Sequence, residues 1–199
     1  MSTLHIAVVP VGKVDREELA AAIGRAAKVL RQPIELRGSL PVPRVSEDPV
    51  RGQHRAATLM KRLRTSVLQL GPGELIGASE SDAKPPLRPD AYLFVTDVDL
   101  FTAKTDGVLA ALNSSEGLAV ISLRRLSEAF YRRKADPGKL RSRLTRELLR
   151  MSGRLQGLKE CTDSTCSLAS SRSVADVDSK AEQFCRSCSQ WLFEGKVQI

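Results

Sequence analysis

An α/β fold is predicted by three features of the chain. Short apolar runs end at proline or glycine, amphipathic stretches at helical spacing alternate with them, and one long helical stripe covers residues 137–155. Residues 4–9 are the first apolar run, closed by Pro10 and Gly12, and read as a buried strand. Asp15 is placed to cap a helix over 16–30, where Leu19, Ile23, Ala26, Ala27 and Leu30 recur on one face and Pro33 follows the end. Residues 34–37 are a second strand candidate, and the proline-rich stretch 40–51 reads as an extended connection. A second helix is expected from Gln53 to Leu68, with Leu59, Leu63 and Val67 on its apolar face. Residues 71–89, rich in Gly, Pro, Ser and Asp, read as a surface loop long enough for function to be the usual explanation.

Residues 92–96 give the clearest strand signal. Two more strands are expected at 108–112 and 118–123, on either side of the turn-forming Asn113, Ser114, Ser115, Glu116 and Gly117. Pro137 and Gly138 open the long helix, whose stripe is Leu140, Leu144, Leu148, Met151 and Leu155. The tail beyond it reads as loop-rich. It carries too little apolar surface to fold without a staple, and it contains every cysteine in the chain.

Hydrophobic residues make up 42% of the 199 and charged residues 27%, the balance of a folded chain and not of a disordered one. Aromatic residues are only 4%, so the core must be aliphatic. No apolar run approaches the roughly 18–20 residues that span a membrane. The first residues lack the basic region of a signal peptide, so a cytoplasmic location and no membrane partner are expected. Net charge is +8, and residues 123–160 hold twelve basic side chains against four acidic ones. Such a stretch could attract nucleic acid or another polyanion, although a solvated helix face is the preferred reading.

The cysteines are Cys161, Cys166, Cys185 and Cys188, spaced C-x4-C, then eighteen residues, then C-x2-C. Two close pairs of thiolates are what a tetrahedral zinc ion requires, and the ion would supply folding free energy that the tail lacks. Disulfides do not suit a chain without a secretion signal. A redox pair at Cys185 and Cys188 has nothing thioredoxin-like around it, while an iron–sulfur cluster would use the same ligands and stays open.

With the cysteines placed, the chain resembles the archaemetzincins, small zinc metallopeptidases of the metzincin clan. Their pattern is H-E-x-x-H-x-x-G-x-x-H-C-x4-C-x-M followed by C-x-x-C. Residues 157–168, from Gly157 through Cys161 and Cys166 to Leu168, fall on G-x-x-H-C-x4-C-x-M, and Cys185 to Cys188 fall on the closing pair. Similar landmarks run upstream in order, at Val8 to Gly12, Leu40 to Pro43, Arg51 to Gln53, Thr96 to Phe101 and Val120 to Leu126. The resemblance implies a small mixed twisted sheet with packed helices, metzincin-like, over residues 1–158, with 137–156 as the former active-site helix. It implies a zinc-stapled C-terminal subdomain at 159–199 lying beneath that helix, and an edge strand at 107–112 bordering the cleft.

The catalytic motif is replaced. Anchored on Cys161, the three histidine positions are Arg150, Arg154 and Glu160, the general-base position is Met151, and Leu168 stands for the methionine of the turn. A guanidinium has no free lone pair and stays protonated, so two arginines on one helix face repel a dication. A second register places Arg146, Glu147, Arg150 and Gln156 on the motif, but it separates the motif from Cys161 by an insertion; neither register contains a histidine. His5 is read as an ordinary strand residue and His54 as a surface or capping residue at the start of the second helix. Asp97 and Asp99 are read as a structural turn.

The resemblance therefore implies one structural zinc on the four cysteines, no catalytic zinc, and a proteolytically inactive pseudopeptidase. In its cleft a salt bridge to Glu160 is favoured over binding of an anionic peptide or other anion at Arg150 and Arg154. A basic nucleic-acid-binding zinc module is the alternative, and an active hydrolase using another site comes last.

Overall fold

Period-two alternation along three strands sets the architecture. In this computed structural model, which describes residues 4–69 and 89–194, the strands β1 (Ile6–Val11), β5 (Ala91–Thr96) and β8 (Leu118–Ser122) are buried throughout. Ile6, Val8, Leu93, Val95, Ala119 and Ile121 point to one side of the sheet, and Ala7, Val9, Tyr92, Phe94, Leu118 and Val120 to the other. The sheet order is β2-β1-β5-β8-β7, with β2 (Glu35–Leu36) parallel to β1 at one edge. The other edge is β7 (Ala110–Asn113), antiparallel to β8. The fold is thus mixed α/β, as expected, and the edge strand expected at 107–112 lies at 110–113.

Helices cover both faces. On the first lie α1 (Arg16–Leu30) and α3 (Pro137–Leu155); on the second lies α2 (Ala56–Gln69), with Leu59, Met60 and Leu63 inward. Asp15 caps α1 by accepting from the amides of Glu17 and Glu18, and the helix has the bounds read from its apolar stripe.

Four local expectations change. β1 runs through Pro10 to Val11. Pro10 uses its carbonyl to accept from the Leu40 amide at 2.9 Å, and the strand ends only at Gly12, whose φ of 81° takes the chain past the Asp97 side chain. The stretch 40–51 is not simply extended, because it contains a 3-10 turn at Arg44–Ser46 and the short β3 (Glu47–Asp48). Residues 53–55 are not helical. They form β4 (Gln53–Arg55), antiparallel to β3 and parallel to β6 (Leu100–Phe101). His54 is accordingly a buried strand residue whose Nδ1 lies 2.8 Å from Ser46 Oγ. Burial holds its pKa below the ordinary histidine value.

The tail is also more regular than its composition suggested, with α4 (Val174–Ser179) and α5 (Arg186–Glu194). A capping box between Ser173 and Asp176 starts α4. Its core is continuous with that of the sheet: Leu158, Cys166, Leu168, Val177, Phe184 and Cys188 pack in the cluster that contains α1 and α3. The loop expected at 71–89 lies almost wholly outside the described residues. No helix among the described residues is long and apolar enough to cross a membrane.

Candidate metal centre and the end of the long helix

Two turns bring the cysteines together. Cys161 follows the end of α3, and its amide donates to the Leu168 carbonyl at 3.2 Å, closing the loop that carries Cys166. Within that loop Asp163 accepts from the Thr165 amide and hydroxyl. Cys185 precedes α5 and Cys188 lies in its first turn, so one helix start delivers both thiols of the second pair.

The four Sγ atoms lie within 4.8 Å of one another, and Cys161 Sγ is 3.7 Å from Cys185 Sγ. Ligands on a tetrahedral zinc with bonds of about 2.3 Å stand about 3.8 Å apart. A disulfide needs sulfurs at about 2.05 Å, and all four cysteines are free. Burial pushes the Cys166 thiol up to about 11 and raises Cys188 as well. Cys185 goes the other way, because the Cys188 amide and the neighbouring thiols outweigh its burial. Four thiolates cannot coexist there without a cation, so the cluster can hold a metal ion and its chemistry suits one. The Cys185 amide, 3.3 Å from Cys166 Sγ, donates to that sulfur.

Immediately upstream, α3 ends in a Schellman turn. The Leu158 amide donates to the Gly153 carbonyl, the Gly157 amide to that of Arg154, and Gly157 takes φ 92°. Gly153 instead sits inside the helix, where a Cβ would strike the Leu168 side chain. The turn brings residue 160 back beside the helix, with Arg150 Nη1 at 3.8 Å from Glu160 Oε1.

Arg150 has a closer partner than Glu160. Its Nε and Nη2 both donate to Glu147 Oε2, at 2.9 and 2.8 Å, and Glu147 is fully buried. Glu147 Oε1 accepts from Ser171 Oγ at 2.5 Å and lies 3.9 Å from Lys180 Nζ, whose side chain is also fully buried. Lys180 donates to the Ala169 carbonyl and to Ser171 Oγ. Burial drives Lys180 down to about 8, while the Arg150 charge and hydrogen bonds overcome burial to hold Glu147 below the usual carboxylate range. Arg154 donates from Nη1 to the Leu158 carbonyl at 2.9 Å, and Met151 is buried in the core.

The remaining sequence candidates are structural. Asp99 takes a two-pronged bond from Arg125 at 2.5 and 2.8 Å and accepts from Gln53, and Asp97 accepts from the Lys13 amide. His5 Nε2 lies 2.9 Å from Glu35. Lys180, Ser171 and the fully buried Arg143, which grips Asp178 through Nε and Nη2, carry no signal in the sequence. Their partners are 9 to 35 positions away in a segment without periodicity.

These features define an α/β protein with a four-cysteine cluster able to hold a metal ion, in the segment that follows its longest helix. Residues 89–194 match the family model described as peptidase family M54, and the chain belongs to that family. It is 37% identical over 100 residues to the archaemetzincin of Saccharolobus solfataricus, covering 48% of this chain and 55% of that protein. With the archaemetzincin of Pyrococcus furiosus the identity is 32% over 104 residues, covering 52% and 54%. The chain thus spans about half the length of the curated relatives it matches. Among solved structures, a zinc-dependent peptidase from Methanocorpusculum labreanum superposes with a TM-score of 0.79 at 25% identity, over 94% of this chain and 99% of the other. An archaemetzincin from Methanopyrus kandleri gives 0.70 at 23% identity, over 96% and 94%.

Proposed function

We propose that this protein is a pseudopeptidase of the archaemetzincin family: a cytoplasmic protein that keeps one structural zinc on Cys161, Cys166, Cys185 and Cys188 and has lost the catalytic one. The observation that carries the reading is the Schellman turn at Gly157. Its left-handed glycine lies four residues before Cys161, which supports the register in which Arg150, Arg154 and Glu160 stand for the ligands and Met151 for the base. Two permanent cations and one carboxylate do not make a dication site. The zinc stapling residues 159–199 onto α3 would add binding free energy to a tail that already shares the core.

The arginines are taken up internally, Arg150 by Glu147 and Glu160, Arg154 by a carbonyl. That favours self-neutralisation of the former cleft over capture of an anionic peptide there. Much of the basic stretch is likewise spent: Arg125, Arg133, Lys139, Arg141 and Arg143 all face carboxylates. This counts against a nucleic-acid-binding module built on residues 124–159. Glu147, the one acid of the second register, is sealed between Arg150 and Lys180 and has no access to a substrate. The test is peptide hydrolysis by zinc-loaded protein across a library of unstructured peptides. No chelator-sensitive cleavage is expected; cleavage abolished by Glu147→Gln or Glu160→Gln would overturn the proposal.

A further inference from the structure

On the sheet face opposite α3, a groove of about 690 Å³ runs between α2 and the edge strand β7. It is separate from the former cleft: α3 packs on the face of Ala110 and Leu112, whereas Ala111 joins the α2 face. Arg55, Lys61 and Arg62 line it, all three exposed, and no acidic side chain does. Among the described residues none of the three lies within salt-bridge distance of a carboxylate, in contrast to the neighbouring Arg64, 3.5 Å from Glu116. Met60 and Ala111 give the groove an apolar floor.

We infer that this groove binds an extended acidic peptide segment, with carboxylates on Arg55, Lys61 and Arg62 and small apolar side chains on Met60 and Ala111. The charge is complementary to carboxylates, and arginine offers them a planar fork. The volume exceeds what a single small anion fills. The apolar floor suits a chain that alternates acidic and apolar side chains. A nucleic-acid strand fits less well, since no aromatic ring lines the groove for bases to stack on.

The experiment is fluorescence anisotropy of a short labelled peptide of alternating glutamate and leucine against the full zinc-loaded chain. Saturable binding that weakens with added salt is expected. Lys61→Glu/Arg62→Glu should weaken it by at least about tenfold, since like charge replaces complementary charge. Arg124→Glu/Lys134→Glu, an equal charge change outside the groove, and Arg154→Ala in the former cleft should leave it unchanged. Absence of saturation, or equal losses in the two charge-reversal pairs, overturns the inference. So does a single-stranded oligonucleotide of the same charge that binds more tightly and loses affinity in Lys61→Glu/Arg62→Glu. Amide-shift mapping on the wild-type chain gives a readout free of any folding defect. Shifts centred on α2 and β7 support the site, and shifts centred elsewhere refute it.

Discussion

Replacing Glu147 with glutamine keeps the shape of the side chain and removes its charge, which leaves Lys180 buried without its carboxylate and Arg150 with only Glu160, 3.8 Å away and half-exposed. Glu147 is fully buried, takes two hydrogen bonds from Arg150 and one from Ser171, and lies 3.9 Å from the Lys180 ammonium. Removing one partner of such a buried group costs about 3–5 kcal/mol, because the cations stay desolvated. For a chain of this length each kcal/mol moves the midpoint by about 2–4 °C, so Tm should fall by roughly 6–20 °C. The assay is thermal and urea unfolding followed by circular dichroism, with zinc in excess so that metal occupancy is constant. Replacing the whole network, as Glu147→Leu/Arg150→Met/Lys180→Met, should recover most of the loss or exceed wild type. A loss below about 1 kcal/mol for Glu147→Gln would refute the reasoning, since it would mean the buried cations never depended on this carboxylate.

Restoring the family motif in the register set by Gly157, as Arg150→His/Met151→Glu/Arg154→His/Glu160→His, should give a second zinc per chain. The same design on the other register should not. Gly157→Ala should cost about 1–2 kcal/mol from its left-handed φ of 92° alone, because the added Cβ meets only an ordinary contact with Trp191. Gly24→Ala, in the open middle of α1, should instead stabilise by about 0.5–1 kcal/mol. Arg143 holds Asp178 below its ordinary value of 3.8, so the pair contributes stability above that pH and loses it as pH falls through the lower folded value. The stability difference between wild type and Asp178→Asn, measured by urea unfolding from pH 7 downward, should therefore shrink below about pH 3.8.

The parts legible in the sequence are those with a local period or a fixed spacing. α1 and α3 follow from Asp15, Pro137 and their apolar stripes, and the four-cysteine cluster follows from two short cysteine spacings. The three-residue β4 was hidden because Gln53, His54 and Arg55 have no strand-like composition; their pairing depends on Asp48 and Leu100, brought in by the fold. α4 and α5 were hidden by their brevity, six and nine residues. At the end of α3 the sequence placed Arg150 against Glu160, whereas its tighter partner is Glu147, one helical turn away. Spacing at i, i+3 permits that pair, but only the burial contributed by Ser171 and Lys180 from a distant segment makes it the stronger one.

Metal analysis of the purified chain tests the central claim most directly. One zinc per chain is expected, unchanged in Arg150→Ala and Glu160→Ala and lost in Cys161→Ser/Cys185→Ser. Two zinc ions per chain, or one that survives loss of the cysteines, would contradict a retained structural site beside a lost catalytic one.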